Sequence, residues 1–302
     1  MTIMNNVDWL VIDWGTTNFR AFAMQEDGTL VGKTERNLGL LQVEGGEFAS
    51  VLESILQDWL GEYQHLPIYM AGMVGSAQGW VDVPYVEAPV SLPMLAHGAH
   101  QFTLPWGAPA VIIPGVCYQV QPGRYDVMRG EEVQLFGLQT QIKQSDFSAA
   151  LPGTHSKYAV MSDGMLHRFQ TFMTGELFSV ISTHTILGRA LPEQVDSLDV
   201  FQKGVNESGG SDFTSALFAA RTHRLFGHIA PEHIHDYLSG LLIGQELKHV
   251  SHSHLYLVGG VGLCQRYQQA CESLSLTSEQ VNGDEVFLIG MLEIKKVMNY
   301  DK

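Results

Sequence analysis

The feature that most narrows what this chain can fold into is residues 9–24 (WLVIDWGTTNFRAFAM), two apolar runs on either side of a short polar turn. Each run is brief, rich in aliphatic and aromatic residues and bounded by turn formers, so the pair reads as two strands of a tight hairpin. Gly15 permits close backbone approach, and Thr16 and Thr17 add hydroxyls, so the turn can aim several donors at an anion. Asp13 ends the first strand, where it would face a magnesium ion on a bound polyphosphate, since Mg2+ takes oxygen ligands and keeps part of its water. Arg20, on the second strand, either reaches the same anion or pairs with a carboxylate. An ordinary hairpin with an Asp- and Thr-rich turn would look the same in isolation.

The theme returns further on. Residues 151–160 (LPGTHSKYAV) place Gly153, Thr154, His155, Ser156 and Lys157 at a second strand boundary, and a partner strand over 165–172 follows the turn at Ser162, Asp163 and Gly164. Lys157 either reaches a transferring phosphoryl group or is a solvated loop lysine. Residues 255–263 (LYLVGGVGL) then run a strand into Gly259, Gly260 and Gly262, a plain strand-to-helix turn or a close backbone approach to a ligand. This order resembles the superfamily of actin, the hexokinases and the heat-shock ATPases: a phosphate hairpin in each half, then a glycine-rich adenosine segment. The resemblance implies an α/β, two-domain actin-like ATPase (ribonuclease H-like) fold with a nucleotide cleft between domains 1–147 and 148–302. It puts ATP phosphates on Gly15, Thr16, Thr17, Arg20 and the 153–157 turn, and adenosine on the three later glycines.

At 302 residues, 45% hydrophobic and 16% charged, the chain can fill two cores of ordinary size. A formal net charge of −15 argues against nucleic acid or an anionic membrane as the main partner, and makes any anionic substrate depend on a local cation. Cys117, Cys264 and Cys271 are odd in number and lack metal spacing, so a reducing, cytoplasmic setting is expected. No secretory signal segment is expected, and no apolar run approaches the roughly 18 residues that span a bilayer. His249, His252 and His254 match no zinc pattern and read as surface histidines. The run 30–34 is not a P-loop, because Gly28 stands one residue too close to Gly32, Lys33 and Thr34; no dinucleotide-binding glycine fingerprint occurs either.

Apolar spacing predicts a helix over 47–60 and a strand over 68–71. The loop 72–80 offers Gly72, Ser76, Gln78 and Trp80, a set suited to a sugar and equally to a plain structural loop. The proline-rich 83–122 region yields one buried strand, at 110–113. Glu131 and Glu132 open a helix, either complementing its dipole or supplying a general base. Thr174 reads as the N-cap of the next helix, and further helices are expected over 213–226, from Pro231 to about His249, and from about Asp284 to Val297. Glycine inside a helix costs about 1 kcal/mol relative to alanine, so Gly137, Gly240 and Gly244 suggest a close crossing of their two helices, expected to form a hinge between the domains.

The full order resembles one family, the 2-dehydro-3-deoxygalactonokinases (2-keto-3-deoxygalactonate kinases). The resemblance rests on residues 13–18 (DWGTTN), 71–76 (AGMVGS), 128–132 (MRGEE), 151–157 (LPGTHSK), 173–178 (MTGELF) and 237–244 (YLSGLLIG), and covers nearly the whole chain. It implies transfer of the ATP γ-phosphoryl group, with Mg2+, to the C6 hydroxyl of 2-dehydro-3-deoxy-D-galactonate. In sugar kinases of the superfamily the base is a carboxylate at a helix start shortly before the second phosphate hairpin, the position of Glu131 and Glu132. The sugar acid would contact Gly72, Ser76, Gln78, Trp80, Thr174 and Glu176, with Arg129, and Arg189 behind it, at its carboxylate. The partners expected are this small molecule and ATP; oligomeric state stays open, a homodimer among the options. Two other readings stand beside it: a kinase for another sugar, since nothing outside the resemblance fixes the stereochemistry, or a non-catalytic nucleotide-dependent regulator. Against the second stand a carboxylate at the base position and the lack of a basic helix-turn-helix extension.

Overall fold

The computed structural model describes residues 7–209, 212–249 and 254–300; His252 lies outside the described residues. In chain order the elements are β1 (Trp9–Trp14), β2 (Phe19–Met24), β3 (Leu30–Arg36), α1 (Phe48–Leu60), β4 (Ile68–Ala71), β5 (Val86–Glu87), α2 (Leu92–His97), β6 (His100–Thr103), β7 (Pro109–Ile112), β8 (Val116–Gln121), β9 (Arg124–Met128) and α3 (Glu131–Ile142). There follow β10 (Phe147–Leu151), β11 (Ser156–Ser162), β12 (Met165–Phe172), α4 (Thr174–His184), α5 (Leu198–Glu207), α6 (Phe213–Leu225), α7 (Ile234–Leu247), β13 (His254–Gly259), α8 (Val261–Ser273), β14 (Thr277–Asn282) and α9 (Gly283–Tyr300). The chain divides into two compact units. The first comprises the described residues up to Asp146, Met161–Arg168 and the segment from Asp284; the second comprises Phe147–Val160 and Phe169–Gly283.

In the first unit a six-stranded sheet runs β3-β2-β1-β4-β7-β6. The hairpin strands pair antiparallel, whereas β1, β4 and β7 run parallel. Every residue of β1 except Asp13 is buried, as expected for a parallel strand covered on both faces. Helix α1 lays Phe48, Leu52, Ile55, Leu56 and Leu60 on the core, each worth about 1.5–3 kcal/mol of burial. The second sheet runs β12-β11-β10-β13-β14, with β10, β13 and β14 parallel. Both sheets therefore share one plan: a leading strand flanked on one side by the next two strands in sequence, and on the other by parallel strands, with β6 added antiparallel at the far edge of the first.

The 83–122 region, from which one strand was expected, contains β5, α2, β6, β7 and β8. The two-residue β5, the four-residue β6 and the six-residue α2 are too short to carry a hydrophobic period, and the six residues of β8 are mostly outside the core, which is why they escape the sequence. The expected hinge from Gly137, Gly240 and Gly244 is corrected, because these glycines serve different helix pairs. A Cβ on Gly137 would lie 1.7 Å from the Val286 carbonyl oxygen, and one on Gly290 2.1 Å from that of Val133, so α3 packs on α9 within the first unit. A Cβ on Gly240 would lie 2.0 Å from the Phe201 carbonyl oxygen, and one on Gly204 2.2 Å from that of Tyr237; α7 thus packs on α5 within the second. Residues 198–207, unassigned from the sequence, are the helix that these α7 glycines accommodate.

Candidate active site

In the first unit, the carboxyl ends of two parallel strands and the start of α3 come together. Asp13 near the end of β1 is in register with Ala71 at the end of β4, the edge at which open α/β sheets bind ligands. Gly72 follows with φ +92°, and a Cβ there would lie 3.1 Å from Asp13 Oδ1 and 2.9 Å from the Trp14 carbonyl oxygen. Gly130, at φ +112°, packs on Gly72, whose Cα would be 3.5 Å from its Cβ. Glu131 and Glu132 come next, so the backbone at the start of α3 packs beside the ends of β1 and β4 with no side chain between the two glycines.

Arg20 faces Asp13 across the hairpin. Its Nε donates to Asp13 Oδ2 at 3.1 Å, its Nη2 donates to the same oxygen, and its Nη1 donates to Asp284, which also accepts from Lys33 Nζ at 2.6 Å. Of its two sequence readings, Arg20 shows the carboxylate pair. Burial by itself lowers the basicity of Arg20, but Asp13 and Asp284 together raise it. The 15–18 turn is closed by Gly15 N–H donating to the Asn18 carbonyl at 2.9 Å, with Thr16 and Thr17 exposed. Gly39, which sequence reasoning missed, lies directly behind it: a Cβ there would be 1.8 Å from the Thr16 carbonyl oxygen.

The two glutamates are not equivalent. Glu132 is fully buried, and both its oxygens accept from the Gly130 N–H at 2.8 Å. Burial, then the charge of Glu131, push its carboxyl from 4.5 up to about 8, against the N–H donation and Arg129. Glu131 is only partly buried, and its Oε2 accepts from the Arg129 N–H at 3.0 Å. Glu132 therefore binds a proton in the folded chain that the unfolded chain has released, and native stability should fall as pH rises from about 4.5 to about 8. Urea midpoints measured across that window should decline in the parent and decline less steeply in Glu132→Gln, most visibly towards pH 8; parallel pH curves would refute the assignment.

Arg129 is 8% exposed and stacks on Tyr85 at 4.4 Å, with Nη2 donating to the Val83 carbonyl at 2.8 Å. Its Nε and Nη1 are buried without a partner. In the 72–80 loop the Ser76 hydroxyl donates to the Met73 carbonyl at 2.7 Å and Gln78 is exposed. Trp80 is half-buried: its ring stacks on Phe48 at 6.1 Å and meets Phe102 edge-on at 5.5 Å, at the border of the first core.

In the second unit the 153–156 turn is seated on the start of α4. A Cβ on Gly175 would lie 2.6 Å from the Gly153 carbonyl oxygen, Glu176 N–H donates to the Thr154 carbonyl at 3.1 Å, and His155 Nε2 sits 2.5 Å from Glu176 Oε2. Thr174 is not the N-cap: Met173 holds that position, while Thr174 is inside the helix with its hydroxyl donating to Glu246. Nor is Lys157 a loop residue; it lies on β11, 6% exposed, and donates to Thr171 Oγ1 at 2.8 Å. Gly259 ends β13, Gly260 precedes α8, and a Cβ on Gly260 or Gly262 would meet open space. A cavity of about 630 Å³ is bordered by Gly153, Thr154 and Gly175 at the phosphate turn and by Leu263 and Arg266 on α8. Phe178, the last residue of the 173–178 segment, also lines it, as do Gln194, His235 and Asp236, none of these three singled out from the sequence, and Asp236 holds Arg266 at 2.5 Å. Arg189 is an exposed residue of this unit, its carbonyl accepting from Arg224.

A profile described as 2-keto-3-deoxy-galactonokinase matches residues 13–294. The chain belongs to that family. A 2-dehydro-3-deoxygalactonokinase of Escherichia coli (strain K12) is 35% identical over 292 residues, covering 95% of this chain and 97% of the relative. A solved structure from Sinorhizobium meliloti, provisionally named a 2-dehydro-3-deoxygalactonokinase, is 32% identical with a TM-score of 0.88, covering 95% of this chain and 96% of that one. The activator of 2-hydroxyisocaproyl-CoA dehydratase from Clostridium difficile, solved with bound ADPNP, is 12% identical with a TM-score of 0.51 over 97% and 96% of the two chains. The fold is thus α/β, of the two-domain actin-like ATPase type, and the family is one of sugar-acid kinases. Among the described residues no helix is long and apolar enough to cross a membrane, and no group of three or more His, Cys, Asp or Glu is arranged to hold a metal ion.

Proposed function

We propose that this chain transfers the γ-phosphoryl group of ATP to the C6 hydroxyl of 2-dehydro-3-deoxy-D-galactonate, giving the 6-phosphate and ADP in galactonate catabolism. The observation that supports the chemistry best is the meeting of Asp13, Gly72 and the Glu131 helix start in one place, which puts a candidate metal carboxylate on the same strand ends as the helix that carries a candidate base. Glu131 takes the hydroxyl proton, because it is the glutamate with access to solvent. A carboxylate suffices, since phosphoryl transfer passes through a loose transition state in which the nucleophile loses its proton late. In the second unit the 153–156 turn holds polyphosphate by backbone and hydroxyl donors, and adenosine occupies the cavity between that turn and α8; in the first unit the 15–18 turn offers donors of the same kind.

Asp13 fits a magnesium ion as a single carboxylate that leaves most ligands to phosphate and water; the ion, when bound, offsets charge on the polyphosphate. Arg129 receives the substrate carboxylate: its two orphaned nitrogens would gain an acceptor, which buried donors need. Arg129→Met should raise KM for the keto-acid at least about tenfold while leaving nucleotide affinity alone; an unchanged KM removes that role. The whole reading is tested by ADP release with a panel of sugar acids. One preferred 3-deoxy-2-keto acid supports it, preference for another sugar reassigns the substrate, and no acceptor at all points to a regulator.

A further inference from the structure

Beneath the second phosphate turn lies a carboxylate that the transfer chemistry leaves unused. Glu246, on α7, is 1% exposed. Thr174 Oγ1 donates to its Oε2, and the Tyr267 hydroxyl lies 3.1 Å from Oε1 and 3.0 Å from Oε2. The same hydroxyl is 2.9 Å from Ser156 Oγ. A phenol has one proton and an ionised carboxylate is the stronger acceptor, so Tyr267 donates to Glu246 and accepts from Ser156. Ser156 Oγ in turn accepts from the Gly153 N–H at 3.4 Å. One carboxylate therefore ties together Ser156, which closes the turn from within, and Thr174, the first residue of the helix on which the turn rests.

We propose that Glu246 is a positioning residue for nucleotide binding: as an acceptor-only group it fixes the direction of the Thr174 and Tyr267–Ser156 hydroxyls, and so holds the 153–156 turn in its phosphate-binding shape. The inference rests on the kinase reading of that turn. Direction is the point of the device. With glutamine in its place, one of the two acceptor oxygens becomes an N–H donor, so Thr174 and Tyr267 no longer both meet an acceptor and one of the two hydroxyls must turn away.

The titratable groups facing Glu246 are the phenols of Tyr267 on α8 and Tyr158 on β11, with the thiols of Cys264 and Cys271 behind them. Burial pushes both phenols well above their ordinary value and both thiols up to about 11, so they stay neutral near neutrality. Lys203 and Glu207 on α5 engage each other, and Glu207 also engages Tyr237 and His223. Burial moves the Glu246 carboxyl up to about 7, against the hydroxyl donors that favour its charge, leaving it the group of this set that changes charge there. The ionised form is the one that orders the turn, so affinity for nucleotide should rise with pH through that region.

The test is calorimetric titration of the full chain with Mg and a non-hydrolysable ATP analogue at several pH values, alongside steady-state kinetics. Glu246→Gln should weaken analogue binding about tenfold at pH 8 and flatten its pH dependence, while kcat at saturating ATP and KM for the sugar acid change by less than about threefold. Tyr267→Phe, which keeps the ring and cuts the link to Ser156, should show the same flattening with a smaller loss; it decides the matter if Glu246→Gln does not fold. Variants with the parent's affinity and pH profile overturn this inference alone. A parent that binds no nucleotide overturns the kinase reading and takes the role of Glu246 with it.

Discussion

Glu131→Gln should lower kcat by about 10²–10⁴-fold with KM for ATP nearly unchanged, the range that a general base supplies. Glutamine keeps the volume and can still accept from the Arg129 N–H, so the helix start should survive. What disappears is the ability to take a proton from the acceptor hydroxyl. Glu132→Gln is the paired measurement. Glu132 is sealed from solvent and spends both oxygens on the Gly130 N–H, so its neutral substitute should keep kcat within a few fold and show its effect in the pH dependence of stability. Loss of turnover in Glu132→Gln with normal turnover in Glu131→Gln would exchange the two roles and sink the assignment made here.

The difference between those neighbours marks where sequence reasoning stopped. Both acids at the head of α3 were legible, because an apolar run preceded by carboxylates signals a helix start. Which of the two faces inward was not, since that depends on Gly130 at φ +112° turning the chain and on the sheet it packs against. The two hairpins were legible for a different reason: short apolar strands around Gly-Thr turns carry their own local geometry. Trp80 shows the opposite case. A tryptophan in a glycine-rich loop suggests a sugar platform; that its ring packs on Phe48 and Phe102, distant in sequence, was not legible. The strand placement of Lys157 and the helical placement of Thr174 were not legible either, since their partners Thr171 and Glu246 are set by tertiary packing. The cavity beside α8 draws Gln194 and Asp236 from segments that carry no motif, so no local pattern could have joined them to Gly153.

Gly39→Ala should weaken ATP binding by about 10²-fold, although Gly39 belongs to no recognised motif, because a misplacement of about 1 Å in a positioning loop costs on that order. The cause is not backbone freedom: Gly39 has φ −78°, which alanine adopts without strain. It is collision. The added Cβ would lie 1.8 Å from the Thr16 carbonyl oxygen, 2.2 Å from its carbon and 2.4 Å from Thr17 N, all backbone atoms that cannot rotate away. Nor can Gly39 retreat easily. The Trp14 indole N–H donates to the Leu38 carbonyl at 3.0 Å, Leu40 N–H donates to the Gly15 carbonyl at 3.1 Å, and Gln42 Oε1 accepts from the Gly39 N–H at 2.7 Å. The 15–18 turn must therefore shift, and overpacking of this kind also costs stability, about 1–3 kcal/mol. Gly262→Ala makes the contrast, since its Cβ meets open space in helix α8 and should leave the urea midpoint unchanged or raise it. Calorimetry with the ATP analogue and urea unfolding on both variants separate the cases: parental affinity in Gly39→Ala would mean that the Thr16–Thr17 turn does not hold the nucleotide.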